Sequence, residues 1–165
     1  MSGLKNLQLE PTYIKAMGAR LDTDFYLPCM KQAIQYDRGA AYFSSAIYVL
    51  LWPGLRDFCK RGGRMRLICS HHLSTSDIEA LKEGYTARLE NGLVASLTEE
   101  LEAMLLADPQ QARRVRVLAA LVGTGVIEVK IALGPKENID RLFHDKLGIF
   151  TDDEGSRVVF TGSPN

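Results

Sequence analysis

The sequence lacks a surplus of charge: its 20 lysines and arginines are balanced by 20 aspartates and glutamates. A balanced chain has no global field to draw it onto nucleic acid or an anionic membrane, so any anion site must come from a local grouping. Cysteine is scarce. Cys29, Cys59 and Cys69 are odd in number and far apart, which argues against a disulfide framework and against the paired spacing of a structural zinc. A reducing, cytoplasmic setting fits such a chain. Long apolar runs are missing too: the longest, Ala46 to Trp52, is too short to span a bilayer. The N-terminus shows no basic, then apolar, then small-residue export pattern, so neither export nor membrane insertion is expected. No repeat or low-complexity tract is present.

What remains is an ordinary globular composition, with 165 residues of which 46% are hydrophobic and 24% charged. That predicts one domain, residues 1–165, with a real core. Residues 1–20 show no period and read as a surface-running arm. Asp22 or Asp24 is placed to cap a helix from about Phe25 to Gln35, with Pro28 tolerated in its first turn. The small, apolar segment Gly39 to Ser44 reads as a buried strand. Ile47, Leu50, Leu51, Leu55 and Phe58 keep helical spacing, Pro53 must kink or split that helix, and Gly62-Gly63 ends it.

Arg64 to Ser70 alternates, with Met65, Leu67 and Cys69 on one side, and Ser74 with Asp77 gives a helix N-cap pair. Helical stripes follow at Leu97, Leu101, Met104 and Leu105 and at Val115, Leu118, Ala119 and Val122, separated at Asp108-Pro109. Val126 to Ile131 alternates again. Lys146 to Phe150 and Arg157 to Thr161 read as two strands around the turn residues Asp152 to Gly155. The order predicts an α/β fold: a mixed β-sheet flanked by helices, its terminal strands an antiparallel hairpin.

The hairpin is flanked by chemistry. His144 and Lys146 stand at the entry to its first strand, Gly162, Ser163 and Asn165 just past the exit of its second. Pairing the strands brings both ends together, and side chains two apart share a face. A histidine, a lysine, a serine and an asparagine at one sheet edge make a receptor for a phosphate diester. His71 and His72 fall at the carboxyl end of a predicted strand, where α/β domains build ligand sites. They either line a cleft or serve the entry of the next helix. The basic clusters Lys60 to Arg66 and Arg113 to Arg116 either contact a nucleic-acid backbone or form a helix C-terminus and a solvated face. Tyr42 and Phe43 either stack on a base or belong to the buried strand.

His144-x-Lys146 followed by Gly162-Ser163-x-Asn165 resembles the HKD signature of the phospholipase D superfamily of phosphodiesterases. Upstream, the strand ending Tyr42-Phe43-Ser44, a helix closed by Gly-Gly and the strand Arg64 to Ile68 resemble the first half of such domains. More narrowly, nearly the whole chain is similar to the phospholipase-D-like module at the N-terminus of some bacterial helicases and restriction or phage-defence proteins.

The resemblance implies that His144 attacks phosphorus to form a phosphohistidine, and that Lys146 and Asn165 hold the non-bridging oxygens with Ser163 and Gly162 assisting. His71, His72 and Ser44 are possible auxiliaries. It implies no metal and no cofactor. DNA is the expected partner, with a phospholipid substrate and a non-catalytic DNA-binding or dimerisation module as alternatives. Two departures matter. The family's Asp, five residues after the Lys, is Thr151 here, with Asp152 and Asp153 next. Only one motif copy is present, so a two-histidine mechanism requires a homodimer. The stop at Asn165 reads as a fragment, with a C-terminal helicase region expected beyond it.

Overall fold

The computed structural model describes residues 3–107, 114–134 and 143–162. Strands β1 (Gln35–Ala40), β2 (Arg64–Ser70), β3 (Ile127–Ala132), β4 (Leu147–Thr151) and β5 (Arg157–Thr161) form one mixed sheet in the order β3-β2-β1-β4-β5. The first three are parallel; β4 runs antiparallel to β1, and β5 antiparallel to β4. Helices α1 (Leu27–Gln32), α2 (Ala46–Leu50), α3 (Trp52–Lys60), α4 (Thr75–Leu89), α5 (Asn91–Leu106) and α6 (Arg114–Gly123) flank it. The α/β class and the antiparallel terminal hairpin are as the sequence predicts. No helix among the described residues is long and apolar enough to cross a membrane.

The chain steps from β1 to β2 to β3 in one direction, so right-handed crossovers put α2–α3 and α4–α6 against the same face. Burial follows suit. On β2, Met65, Leu67 and Cys69 are buried under the helices, whereas Arg64, Arg66 and Ile68 on the other face are exposed.

Several local expectations hold for the stated reasons. Pro53 splits the second helical run: α2 stops at Leu50 and α3 restarts with Pro53 in its first turn. Ser74 Oγ accepts the Asp77 N–H at 3.1 Å, capping α4. Leu97, Leu101 and Leu105 are the buried stripe of α5. Asp108-Pro109 lies outside the described residues.

Others are corrected. The first strand is Gln35–Ala40, not Gly39–Ser44. Asp37 and Arg38 break the apolar run there, but each polar group has a partner: Arg66 donates to Asp37 from Nε and Nη2 at 2.6 and 2.7 Å, and Arg38 to the Tyr26 hydroxyl at 3.2 Å. The preceding helix is correspondingly shorter. A π-helical turn, Asp22–Tyr26, runs into α1, which ends before Ala33 because Ile34 already bonds into the sheet, its N–H to the Thr151 carbonyl at 2.8 Å. Asp24 does not cap that helix by its side chain but accepts the Arg20 N–H at 2.8 Å. The arm is not wholly superficial: Leu4 is buried, and its N–H donates to Asp152 Oδ2 at 2.9 Å.

Tyr26, Phe25, Tyr36, Phe150 and Phe160 cluster under β4 and β5. Gly148 makes this possible, because a Cβ there would lie 2.1 Å from the Phe160 ring. At the opposite edge the Tyr85 hydroxyl both accepts from the Val129 N–H and donates to its carbonyl, each at 2.8 Å. It thereby occupies the open hydrogen-bonding side of edge strand β3. Tyr85→Phe is expected to cost about 1–3 kcal/mol by leaving both groups unpaired. A lower urea-denaturation midpoint checks this, and an unchanged one contradicts it.

Candidate functional site

Because β4 is antiparallel to β1 and β5 to β4, Leu147 pairs with both Gly39 and Thr161. The entry to β4, the exit of β5 and the carboxyl ends of β1 and β2 therefore lie at one edge of the sheet. His144 to Lys146, Gly162, the Tyr42–Ser44 loop and His71–His72 all belong to that edge. In α/β sheets it is the edge where ligands bind.

The segment carrying His144 is fixed from both sides. Gly39 has no side chain, and the Phe143 ring occupies the space: a Cβ on Gly39 would lie 3.3 Å from Phe143 Cζ. On the other side Leu147 enters the β4 ladder. The Gly162 N–H donates to the Lys146 carbonyl at 2.9 Å, closing the hairpin. The His-x-Lys segment and the start of the Gly-Ser-x-Asn segment thus meet. Ser163 and Asn165 lie outside the described residues.

His144 is exposed, and its ring stands edge-on to Tyr42 with centroids 6.5 Å apart. Tyr42 itself is 58% exposed while Phe43 is buried. The buried-strand explanation thus fails for Tyr42, which sits in a loop beyond β1 and beside the candidate nucleophile. Lys146 is half-buried and, with Asp145, lines a cavity of about 670 Å³ on the open sheet face, along with Arg66, Lys130 and Phe143. Residues 143–146 precede the regular strand, so strict alternation does not govern them.

The auxiliary residues are less involved. Ser44 Oγ accepts the Ala46 N–H at 3.3 Å and so serves the start of α2. His71 and His72 pack ring to ring at 4.3 Å. His71 lines a groove with Leu73, Tyr85 and Ile131, and its Nδ1 is buried without a partner among the described residues. No ring contact or hydrogen bond joins this pair to His144 among the described residues.

Within the basic clusters Arg61, Arg66 and Arg116 are engaged by the fold itself, and Arg113 lies outside the described residues. Arg61 donates to the carbonyls of Met30 and Ala33, both at 3.0 Å, at the end of α1. Arg116 pairs with Glu83 and Glu100. Arg66 holds the Asp37 carboxyl below its usual range. Burial pushes the thiols of Cys29 and Cys59 up to about 12 and that of Cys69 to about 11, so at neutral pH none is a nucleophile. Among the described residues no three His, Cys, Asp or Glu side chains are grouped to hold a metal.

Thr151 ends β4, paired with Gln35 and Arg157. Asp152 is buried in the turn, where it accepts N–H groups from Leu4, Glu154 and Ser156 at 2.9, 3.1 and 2.7 Å. The length of β4 separates it from His144, so its carboxylate serves the hairpin and the arm.

Arg38 escapes sequence reasoning altogether. It lies on the helix-covered face of β1, its guanidinium 5.2 Å from the Phe160 ring centroid. The only signal was a charge inside an alternating segment, at Tyr36-x-Arg38-x-Ala40. No family model matches this chain, and no curated protein or solved structure does so either.

Proposed function

We propose that the protein is a phosphodiesterase of the phospholipase D type that cleaves DNA through a phosphohistidine at His144, without a metal. A neutral imidazole nitrogen of His144 attacks phosphorus and the bond to the leaving oxygen breaks. A second histidine gives that oxygen its proton. Water, deprotonated by the same second histidine, then attacks phosphorus and displaces His144, leaving a phosphate monoester. Imidazole suits both roles because it titrates near neutrality. Lys146 supplies the positive charge beside the non-bridging oxygens, and Asn165, assisted by Ser163, holds them by hydrogen bonds. The second histidine comes from a second copy of the chain across a two-fold axis.

The observation that carries this proposal is the hydrogen bond from Gly162 to the Lys146 carbonyl, which joins the two halves of the phosphate-binding motif beside an exposed His144. A second reading, a DNA-binding or dimerisation module without turnover, is favoured by one feature. The motif's acidic position is Thr151, and the adjacent Asp152 is taken up by three backbone N–H groups.

Cleavage of single- and double-stranded DNA in excess chelator, combined with mass by light scattering, separates the two. The enzyme is expected to cleave in chelator and to have the mass of two chains. Salt-sensitive DNA binding without cleavage leaves the binding module.

A further inference from the structure

Arg38 differs from the other arginines that fold back onto the protein. Arg61 reaches two carbonyls, Arg88 the carbonyls of Val122 and Ile127, Arg66 both oxygens of Asp37, and Arg116 two glutamates. Arg38 has only neutral partners: Nη1 donates to the Tyr26 hydroxyl, the guanidinium also bonds the Tyr36 hydroxyl, and it stands over the Phe160 ring. Among the described residues no carboxylate forms an ion pair with it. A guanidinium has five N–H donors in a planar fork suited to phosphate, and a partly desolvated cation without an anion is costly.

A cavity of about 360 Å³ lies against it, lined among others by Tyr26, Tyr36, Arg38, Tyr42 and Ser44. Cavities of about 300–1,000 Å³ with a few convergent polar groups are the usual form of small-ligand sites. Tyr42 joins this cavity to the catalytic edge, since its ring also meets His144. We infer that the cavity is an anion subsite, in which Arg38 and the Tyr26 hydroxyl take a nucleotide phosphate and Tyr42 stacks on the attached base. The ligand class rests on the phosphodiester function proposed above; the anion site itself rests on Arg38.

The test titrates the full chain with inorganic phosphate and with a short oligothymidylate. The Nε–Hε NMR resonance of Arg38 is followed, and affinities are measured by calorimetry. Both ligands are expected to shift that resonance. Arg38→Lys, which keeps the charge but loses the fork, is expected to weaken both about tenfold. Arg38→Gln is expected in addition to reduce the slope of log affinity against log salt for the oligonucleotide by about 0.7. Tyr42→Ala, at the exposed rim, is expected to weaken the oligonucleotide about tenfold and leave inorganic phosphate unaffected.

An unmoved Arg38 resonance in the wild-type chain, or wild-type affinities in Arg38→Lys and Tyr42→Ala, overturns the subsite even if Arg38→Gln does not fold. A response to phosphate alone marks a free-phosphate site and overturns the nucleotide assignment. The two proposals fail separately. DNA cleavage with an unmoved Arg38 sinks the subsite alone, whereas phosphate bound at Arg38 without cleavage supports the subsite and sinks the enzyme.

Discussion

His144→Ala is expected to lower the rate of DNA cleavage in chelator by about a thousandfold or more, the scale on which loss of a nucleophile or a proton-transfer group acts. The fold should hardly notice. The side chain is exposed and stands edge-on to the ring of Tyr42. An exposed substitution of this kind changes stability by about 0.5 kcal/mol or less. Catalysis and stability therefore separate at this residue. A variant that melts with the wild type and still binds DNA, but does not cut it, is the expected result. A variant that cuts at the wild-type rate removes His144 from the mechanism.

Asp152→Ala is expected to have the opposite profile, a loss of about 3 kcal/mol or more in stability, because it leaves three N–H groups without their acceptor. The loss should appear in urea denaturation and should loosen the arm, since Leu4 is tethered to the hairpin through this carboxylate. Its pH dependence has a fixed sign. Burial opposes ionisation of Asp152, but the N–H groups of Leu4, Ser156 and Glu154 outweigh it and hold the carboxyl below its ordinary value. A carboxyl depressed in the folded state contributes fully above its unfolded value of about 3.9, and the contribution is lost as pH falls through the folded value. The wild type should thus lose stability on acidification below about pH 4 more steeply than Asp152→Asn. Because Asp152 lies at the far end of β4, Asp152→Asn should still cleave wherever it remains folded. Loss of cleavage in a folded Asp152→Asn chain would instead make this residue the substitute for the motif's missing acid.

Local signals carried much of the fold. The alternation of Arg64 to Ser70, the Ser74–Asp77 cap, Pro53 and the turn residues before Gly155 each act within a few positions, and each marks the element it should. Because the hairpin was legible, so was the meeting of Lys146 with Gly162. What escaped depends on distant partners. The first strand was displaced because Asp37 and Arg38 look wrong for a strand until Arg66 and Tyr26 are placed beside them. The arm looked superficial because Leu4 finds Asp152 across 148 positions of sequence. Tyr42 was assigned to a buried strand by its apolar neighbours, yet it lies one loop beyond and flanks His144.

The most direct test of the proposed mechanism is to trap its intermediate. The wild-type chain in excess over labelled DNA, quenched in alkali during a single turnover, should yield a protein–nucleotide adduct on the peptide containing His144. The adduct should be stable in base, lost in acid and absent from His144→Ala. Rapid cleavage with no adduct, or an adduct on a different residue, would contradict the assignment of His144 as the nucleophile.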